Sequence, residues 1–507
     1  MRNGKQKGND GARTNAAAMG GWLRGLSFIC VVLTAAMTSP AQEEQPSAST
    51  VRFKVLFNFS GADFLAYPVA LAQGTDGNLY GTTWPITTTN PGTLYRLTPA
   101  GTLTTIYNFC SQPNCADGGN PSQPLTLGTD GDFCGATSSG GASGNGTIFK
   151  VTPSGALTVL YNICSQANCA DGSFSVGLTL GGDGNFYGAM FGGGAYNNGT
   201  VFQLTPQGAL TTLYSFCSQT NCVDGSHPEP PPVFGADGNL YGITYGGGAY
   251  GAGSIYRLTL GGKLTTLHSL DFSDGGIPNS LVLAPDGDFY GLAGEGGTGD
   301  GPFNGVFFRI TPSGAYTVLY NFCSLPNCGD GGAPATLVYA NDGNFYGAND
   351  GGGNTTASPC VTYGCGTIFK MTPKGVLTTL HVFNGTTGGF GNFALAQATN
   401  GSFYGTDDIG GTNGGGAIFA LSAGLSPFVQ LVPTSGKVGE AIQILGSNLT
   451  GASSVTFNGT PAAFLVSSRP KITEITAIVP VGASSGTVQV VIPSGTLSSN
   501  VPFRVHP

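Results

Sequence analysis

The sequence predicts an all-β protein built from a repeated unit, and three observations lead to this prediction. A hexapeptide, Asp-Gly-Asn-Phe-Tyr-Gly or a close variant, recurs at intervals of roughly 50 residues, which is typical of propellers and solenoids. Charged residues make up only 9% of the chain while it contains 86 glycines, a composition typical of turn-rich β proteins. After Gly424 the repeat gives way to a different alternating pattern. The seven copies begin at Asp76, Asp130, Asp183, Asp237, Asp286, Asp342 and Asn400.

Each repeat divides into four short apolar stretches that we interpret as strands. The first, as in residues 124–128, and the second, as in residues 185–189, flank the Asp-Gly turn, which is typical of a β-hairpin. The third, as in residues 146–151, ends in Thr-Pro-x-Gly, which favours a type I turn before the fourth, as in residues 209–216. Four antiparallel strands in about 50 residues make one propeller blade.

The two ends of the repeat region are complementary. The third stretch occurs seven times, but the seventh repeat lacks a fourth stretch, and an orphan stretch at residues 53–59 matches the missing element. We therefore predict a seven-bladed β-propeller over residues 51–423, closed by an N-terminal strand that completes the last blade and leaves no exposed sheet edge. An open β-solenoid is the alternative, although a linear stack would not need complementary ends.

The N-terminus predicts export. Residues 1–41 carry five basic residues and one acid, then an apolar run from Leu26 to Met37 and small residues before Ala41, which is typical of a cleaved secretory signal. The run is short for a membrane span, so we expect no transmembrane anchor after signal removal, with an anchored helix as the alternative. We assign residues 42–50 to a linker and expect a secreted or cell-surface protein.

Residues 426–507 form a second predicted domain, an immunoglobulin-like β-sandwich. This part of the sequence consists of short alternating stretches, such as residues 442–449 and 488–492, separated by turn residues. The chain is long enough for each of the two domains to bury its own core.

The residues that carry the repeat resemble the GloVer tandem repeat of secreted bacterial proteins. Units of that repeat read approximately Asp-Gly-Asn-x-Tyr-Gly-Thr-Thr, a glycine-rich loop and Gly-Thr-x-Phe-x-x-Thr-Pro-x-Gly, and the likeness covers residues 51–423. The motifs of residues 426–507 resemble an IPT/TIG domain, an immunoglobulin-like module. The first resemblance implies export without an established activity, and the second implies a spacer or interaction unit at a bacterial surface.

The charge of the chain argues against nucleic acid as a partner. The formal net charge is −8, and removal of the basic signal makes it more negative. Phosphate binding needs clustered lysine and arginine, which here are few and scattered. The DNA-contacting role of the IPT/TIG fold in some transcription factors is therefore not expected, and an extracellular glycan or protein is the partner that we consider.

Ten of the cysteines form five Cys-x4-Cys pairs. In an exported protein disulfides are expected, whereas a zinc site would need two pairs from separate repeats to meet. Cys134 is left over, and because it occupies the position of the repeat's tyrosine we expect a buried, inert thiol. The expected disulfides are Cys110–Cys115, Cys164–Cys169, Cys217–Cys222, Cys323–Cys328 and Cys360–Cys365.

Strand direction separates the tight turns from the long loops. The turns after the first and third strands emerge on one face of the predicted propeller, and the connections after the second and fourth emerge on the other. Loops on a rigid scaffold commonly carry binding sites, so we expect the loop face to be the working face. A recurrent aspartate in these loops can cap its own turn, the interpretation that we favour, or join a ring that holds Ca²⁺ or glycan hydroxyls. It occurs at Asp117, Asp171, Asp224, Asp274 and Asp330.

Departures from the repeat mark the candidate ligand-binding residues. Trp84 can stack on a sugar ring if it is exposed, although burial at the base of its loop is the outcome that we favour. Glu229 and Glu295, which we place on long loops, and nearby aspartates can supply a pair of carboxylates for acid–base catalysis, but isolated acids on loops usually have no such role. The candidate set is Trp84, His227, Glu229, Glu295, Asp350, Asp407 and Asp408.

The sequence favours binding over catalysis. It contains no Gly-x-Ser-x-Gly elbow, no His-Glu-x-x-His helix and no nucleotide-binding glycine pattern between a strand and a helix. We assign no catalytic residue, no metal site and no cofactor, and leave Ca²⁺ open. The favoured function is non-catalytic binding or adhesion through the loop face, with a glycan or a protein as ligand. A polysaccharide-active enzyme, either a glycoside hydrolase or a lyase, and a structural envelope component are the alternatives.

Overall fold

The computed structural model describes residues 51–60, 66–85, 91–299, 304–353, 360–361, 363–389, 393–466 and 473–506. The predicted signal (1–41) and linker (42–50) lie outside the described residues. Within these ranges the regular structure is β-strand, apart from four short 3-10 turns, which confirms the all-β prediction. No helix in the described ranges is long and apolar enough to cross a membrane.

The N-terminal strand β1 (Arg52–Ser60) is followed by sheets 1 to 4. Sheet 1 contains β2 (Ala66–Pro68), β3 (Ala72–Gln73), β4 (Leu79–Pro85), β5 (Thr93–Leu97) and β6 (Leu103–Asn108). Sheet 2 contains β7 (Gly119–Pro121), β8 (Thr126–Leu127), β9 (Phe133–Ser139), β10 (Thr147–Val151) and β11 (Leu157–Asn162). Sheet 3 contains β12 (Ser173–Leu180), β13 (Phe186–Gly192), β14 (Thr200–Leu204) and β15 (Leu210–Ser215). Sheet 4 contains β16 (Ser226–Pro228), β17 (Val233–Phe234), β18 (Leu240–Gly246), β19 (Ser254–Leu258) and β20 (Leu264–Ser269).

Sheets 5 to 7 complete the repeat region. Sheet 5 contains β21 (Gly276–Leu283), β22 (Phe289–Glu295), β23 (Val306–Ile310) and β24 (Tyr316–Asn321). Sheet 6 contains β25 (Gly332–Tyr339), β26 (Phe345–Gly351), β27 (Thr367–Met371) and β28 (Leu377–Val382). Sheet 7 contains β29 (Phe393–Gln397), β30 (Phe403–Asp407), β31 (Gly414–Ser422) and, as its outer strand, β1.

Sheets 1 to 6 repeat one antiparallel topology in which the strands follow chain order, and sheet 7 differs only in taking β1 as its outer strand. In sheets 1, 2 and 4 the first strand is split into two pieces that pair with the same neighbour, as β2 and β3 do with β4. Sheet 7 takes its fourth strand from the N-terminus, since β1 pairs antiparallel with β31 and Arg52 lies opposite Ser422. This is the pairing that the sequence predicts for the orphan stretch.

The tyrosine of the hexapeptide connects its own turn to the following sheet. The hydroxyl of Tyr241 donates to Asp237, the aspartate of its turn, at 2.9 Å. Its ring stacks on Phe289 of sheet 5, with the ring centroids 4.2 Å apart. Such aromatic pairs contribute roughly 0.5–1.5 kcal/mol beyond the apolar area that they bury. The equivalent ring contacts between successive sheets are Tyr80–Phe133, Tyr290–Phe345 and Tyr346–Phe403.

Main-chain hydrogen bonds join successive sheets at the start of the first strand. His227 has a φ of 58° and its N–H donates to the carbonyl of Asn198, in sheet 3, at 2.8 Å. Ile277 has a φ of 52° and donates to Ala252, in sheet 4, at 2.9 Å. The left-handed region is unfavourable for a β-branched residue, so the inter-sheet bond holds Ile277 there.

Sheets 1 and 7, which lie at opposite ends of the repeat region in sequence, contact each other. Gln73 donates from Nε2 to the Thr399 hydroxyl at 3.0 Å, and the Thr399 N–H donates to the side-chain Oε1 of Gln73 at 2.8 Å. Leu79 of sheet 1 belongs to the same buried cluster as Tyr404 and Ile418 of sheet 7.

The C-terminal domain contains two four-stranded sheets and one parallel pair among the described residues. Ile444, Val455 and Val490 belong to the single buried core between its sheets, as expected for an immunoglobulin-like sandwich. Its strands are β32 (Val429–Val432), β33 (Ser435–Lys437), β34 (Ala441–Gly446), β35 (Ser454–Phe457), β36 (Thr460–Pro461), β37 (Phe464–Val466), β38 (Glu474–Ile478), β39 (Val488–Ile492), β40 (Gly495–Ser498) and β41 (Arg504–His506).

The C-terminal domain packs against the Asp-Gly turns of the repeat region, which we call the turn face. Gln443 donates from Nε2 to the carbonyl of Thr129 at 2.6 Å, and Val432 packs in a buried cluster with Tyr80. A cavity of about 370 Å³ lies here, lined by the first strands of sheets 1, 2, 3 and 7 and by residues 430–434. The C-terminal domain therefore covers this end of the first strands.

We predict that Phe59→Ala destabilises the protein strongly. Phe59 is 1% exposed in β1 and contacts the ring of Tyr95 in sheet 1, so its loss leaves a cavity between sheets 7 and 1. The expected loss is about 3–5 kcal/mol, measured as a lower midpoint of urea unfolding. Lys54→Ala, at an exposed position of the same strand, should change stability by less than about 0.5 kcal/mol. Equal midpoints for the two variants would contradict a structural role for β1.

Candidate functional site

The connections between successive sheets carry most of the disulfides. The five expected pairs are bonded, which confirms that prediction, and Cys134 is the free cysteine among the described residues. The Cys360–Cys365 pair lies instead between β26 and β27, in the connection from the second to the third strand of sheet 6. The other four pairs each enclose a 3-10 turn, at Pro113–Cys115, Ala167–Cys169, Thr220–Cys222 and Pro326–Cys328.

Four of the five recurrent loop aspartates are buried and organise their own loops. Asp171 is 1% exposed, and its Oδ2 accepts hydrogen bonds from the Tyr161 hydroxyl at 2.7 Å and from the Ser165 N–H at 2.9 Å. Its Oδ1 accepts a bond from the Gln166 N–H at 3.2 Å. Asp117, Asp224 and Asp330 have the same partners or their equivalents. The turn-capping interpretation therefore describes these residues, and their oxygens point into their own loops.

The loop that connects sheet 4 to sheet 5 has the same kind of support from a different pair of side chains. His268 replaces the tyrosine, and its Nε2 lies 2.6 Å from Oδ2 of Asp274. The ring of Tyr316 stacks on His268 with centroids 4.1 Å apart, and the Tyr316 hydroxyl donates to the Asp274 carbonyl at 2.8 Å. This histidine and its carboxylate thus belong to the loop framework.

Cys134 is the exception in the tyrosine series. It is 1% exposed, and burial raises the pKa of its thiol to about 12, which fits the expected inert cysteine. Asp130 loses its tyrosine partner here, and Lys150 approaches it instead, with Nζ 2.7 Å from Asp130 and 3.1 Å from Asp132. In sheet 6 the equivalent Lys370 pairs with Asp342 although the Tyr346 hydroxyl also bonds that aspartate, so such an ion pair occurs with or without the tyrosine.

Three of the candidate residues occupy one repeated position, the fourth residue after the hexapeptide's tyrosine. These are Trp84 in sheet 1, Asp350 in sheet 6 and Asp408 in sheet 7. Sheets 3 and 4 carry Phe191 and Tyr245 there. The position lies at the end of the second strand, on the side away from the Asp-Gly turns, which we call the loop face.

A cavity of about 760 Å³ opens on the loop face and brings together three of the candidate residues. Trp84, Glu229 and Asp408 line it, although they belong to sheets 1, 4 and 7. Trp84 is 46% exposed, so the expectation of its burial is wrong. The walls also include Tyr67 and Gln123, from the region of the first strands of sheets 1 and 2. Lining residues from five of the sheets meet at this one opening.

Two further candidate carboxyls lie next to this cavity. Asp407 is fully buried and its carboxylate accepts hydrogen bonds from the N–H groups of Gly389, at 2.5 Å, and Ile409, at 3.2 Å. Burial nevertheless raises the pKa of Asp407 to about 8, helped by the charges of Asp408 and Asp350. Burial also raises the pKa of Asp350 to about 8, although the N–H of Phe393, a cavity residue, lies 3.5 Å from its Oδ1.

The remaining candidates occupy positions that differ from the sequence-based interpretation. Glu229 directly follows β16 within the interrupted first strand of sheet 4, not a long loop, and burial raises the pKa of its carboxyl. His227 lies in β16, 4.6 Å from the ring of Phe191 between ring centroids, and burial lowers its pKa. Glu295 ends β22 one residue beyond the position of Trp84, is exposed and does not line the cavity.

Several residues of the cavity wall escaped the sequence reading. Tyr67, Gln123, Phe393 and Thr406 line it, and they lie in or next to strands that read as ordinary core. The sequence did contain a signal for Gln123. The residues that follow the proline of the first strand vary from repeat to repeat, and both Gln123 and Glu229 lie in this variable segment. The sequence could not indicate that these positions converge from distant repeats.

We predict that Asp350→Asn makes stability less dependent on pH. An unfolded aspartate loses its proton near pH 4, whereas folded Asp350 holds it to about pH 8. The free energy of unfolding therefore falls as the pH rises from about 4 to about 8, because the unfolded chain loses this proton first. The variant should exceed the wild type by about 1–3 kcal/mol at pH 9 and match it at pH 4, measured by urea unfolding.

Asp342→Asn is the control for this measurement, and its expected effect on stability is opposite to that of Asp350→Asn. Burial would raise the pKa of Asp342, but hydrogen bonds from Lys370, at 2.8 Å, and Asn344 outweigh it and hold the pKa below its ordinary value. Asp342→Asn should therefore destabilise the protein at pH 7, with the difference shrinking toward pH 3. Parallel pH profiles for wild type and Asp350→Asn would contradict the raised pKa.

A second prediction separates loop support from calcium binding at the recurrent aspartates. Asp171→Asn replaces an oxygen that accepts several donors with an amide group, and we expect a loss of about 2–4 kcal/mol in unfolding free energy. Because the carboxylate is satisfied within its loop, EDTA or CaCl₂ should leave the thermal midpoint of the wild type unchanged. A midpoint that rises with CaCl₂ would instead identify a cation site.

Comparison with known proteins places the chain in a family. The profile of the Gloeobacter/Verrucomicrobia repeat matches residues 45–230 and 219–419, and the profile of the IPT/TIG domain matches residues 428–505. No curated protein is significantly similar to the chain in sequence.

Several solved structures are similar to parts of this chain at low sequence identity. One is the extracellular domain of a candidate hybrid two-component system from B. thetaiotaomicron, with 12% identity and a TM-score of 0.46 over 85% of this chain. The chain spans about half of that protein, 52% of its length. A protein from Lactobacillus plantarum is 16% identical, with a TM-score of 0.43 over 82% of this chain and 97% of the other. A candidate 6-phosphogluconolactonase from Bacteroides uniformis is 15% identical, with a TM-score of 0.42 over 84% of this chain and 100% of the other.

The repeat profile covers well over half of the sequence, and the resemblance that the sequence motifs suggested is confirmed in both parts of the chain. The protein belongs to the Gloeobacter/Verrucomicrobia repeat family and ends in an IPT/TIG domain.

Proposed function

We propose that this protein is a secreted or cell-surface binding protein that holds a glycan in the cavity of its loop face. The observation that carries the proposal is that Trp84, Glu229 and Asp408 line one cavity of about 760 Å³ although they come from distant repeats. Small-ligand sites are concave, with apolar and aromatic walls and a few polar groups that fix orientation. This cavity has that composition.

The proposal includes a closed propeller. We infer that the seven sheets of residues 51–423 are the blades of one ring, with β1 completing the last blade, and that residues 426–507 form a separate module. The β1–β31 pairing and the Gln73–Thr399 hydrogen bonds between the first and last sheets support closure. In such a ring the cavity is the loop-face mouth of the central channel, and the C-terminal module covers the opposite mouth.

Trp84 favours a glycan as the ligand. An indole ring that is 46% exposed at the wall of a cavity is available for stacking on the apolar face of a sugar. Carboxylates and the side chain of Gln123 beside it can bond sugar hydroxyls. The ligand class follows from this pairing of an aromatic surface with polar acceptors.

Export is part of the same proposal. The N-terminal sequence has the features of a secretory signal, and five disulfides are stable in an oxidising compartment. A protein with a carbohydrate site and an immunoglobulin-like module would then act outside the cell or at its surface.

A polysaccharide-active enzyme is the second candidate function. The observation that favours it is that carboxyls in and beside the cavity have raised pKa values, as a general acid requires. Glu229 and Asp408 are then the acid and base candidates.

Glycan-array binding of the purified protein tests the proposal. We expect binding that Trp84→Ala weakens at least about tenfold, because the stacking surface is lost. Tyr250→Ala removes an aromatic residue that is 67% exposed outside the cavity and should leave binding unchanged. Equal losses in both variants, or no glycan bound at all, would overturn the proposal.

Release of reducing sugar from the glycans that bind separates binding from catalysis. If the protein is a binding protein, no product forms at any pH between 5 and 9. Product that Glu229→Gln abolishes and Glu295→Gln leaves intact would establish the enzyme instead, since Glu295 is exposed outside the cavity.

A further inference from the structure

The loop-face cavity has a one-sided charge. Its charged lining residues are Glu229 and Asp408, and among the described residues no lysine, arginine or histidine lines it. Asp350 and Asp407 lie near Asp408, but burial holds their protons to about pH 8, so they add charge to this region only above that pH. A concave surface with low-dielectric walls concentrates the field of such charges, so the cavity attracts cations and repels anions.

A buried hydroxyl also belongs to the wall of this cavity. Thr406 lines the cavity and is 1% exposed, yet its hydroxyl has no hydrogen-bond partner among the described residues. Buried hydroxyls in folded proteins nearly always have a partner. The equivalent hydroxyl of Thr82 in sheet 1 also has no partner among the described residues, so this feature belongs to the repeat and not to the cavity alone.

The aromatic residue in the cavity wall also favours a cationic ligand. Trp84 exposes its ring, and a cation over an indole face is attracted by the negative electrostatic potential of that face. Glu229 has no ion-pair partner in the part of the chain that the structure describes, so a ligand cation would not displace a protein cation. Carboxylates and an aromatic face thus surround one volume.

From these observations we propose that the cavity selects glycans that carry a free ammonium group, that is, amino sugars without an N-acyl substituent. The sugar ring stacks on Trp84 while its ammonium group lies between the carboxylates of Glu229 and Asp408. The inference rests on the proposed glycan-binding function and names the substrate class of that same site. A metal ion is a weaker fit, because no group of three or more metal-ligating side chains occurs among the described residues.

The test compares two oligosaccharides that differ only in the ammonium group. The purified protein is titrated calorimetrically at pH 6 with the tetramer of β-1,4-linked glucosamine and with its fully N-acetylated counterpart. We expect the amine form to bind at least about tenfold more tightly, which is about 1.4 kcal/mol. Its affinity should also fall several-fold between 50 and 500 mM NaCl, because the attraction is electrostatic.

Variants of the two acidic residues test whether the preference for the amine form depends on their carboxylates. Glu229→Gln and Asp408→Asn keep the side-chain shape, and each should weaken the amine form about five- to twentyfold while the N-acetylated form changes by less than about twofold. Glu295→Gln is the matched control, since it removes an exposed charge on the same face outside the cavity. An equal effect of Glu295→Gln would overturn the local role of the two acids.

A sugar-free cation, 1,5-diaminopentane, separates the two levels of the proposal. Equal binding of both oligosaccharides would overturn the charge selection while leaving the glycan function intact. Binding of the diamine alone would support charge selection and overturn the glycan function. No binding of any of the three probes would overturn both.

Discussion

The fold depends on one side chain that occurs in six of the seven repeats, the tyrosine of the hexapeptide. Its hydroxyl is held by the aspartate of its own turn, as in Tyr241 with Asp237, while its ring packs on the next sheet. A single residue thus couples a hairpin turn to the contact between sheets. Because each ring needs a following sheet as its partner, one repeat cannot bury its own surface, and the seventh must meet another sheet. The contact of Tyr404 with the cluster that contains Leu79 of sheet 1 satisfies this requirement.

Cys134 shows that the two roles of the tyrosine can be separated. The thiol keeps the packing role, since Cys134 shares a buried cluster with Phe186 of sheet 3. The tyrosine's hydrogen bond is lost, and Asp130 keeps an ion pair with Lys150 of the kind that Lys370 forms with Asp342. An exposed ion pair of this kind contributes less than about 1 kcal/mol, so packing between the sheets is the part that the fold retains.

Local patterns made the strands, the turns and the disulfides predictable, because each depends on residues close in sequence. The pairing of residues 53–59 was predictable for a different reason, since one repeat visibly lacked a strand. The meeting of Trp84 with Asp408 was not, because more than 300 residues separate them and only the arrangement of whole sheets brings them together. The sequence analysis grouped Glu295 with these residues because it also departs from the repeat pattern. Glu295 lies one residue past their shared position, however, and a shift of one residue along a strand turns a side chain to the other face of the sheet.

The placement of the C-terminal domain explains why departures from the repeat matter on one face only. The turn face carries the conserved geometry of seven hairpins and is covered where the first strands end, so a change there would disturb both the hairpin and the docked domain. The aspartates of the inter-sheet loops are likewise needed for the fold, since their oxygens accept hydrogen bonds from their own loops. The residues at the end of the second strand form neither the hairpin turns nor the hydrogen bonds that support the inter-sheet loops. Trp84, Asp350 and Asp408 can therefore differ from one another at this position, and the chemistry of the cavity can change while the scaffold stays the same.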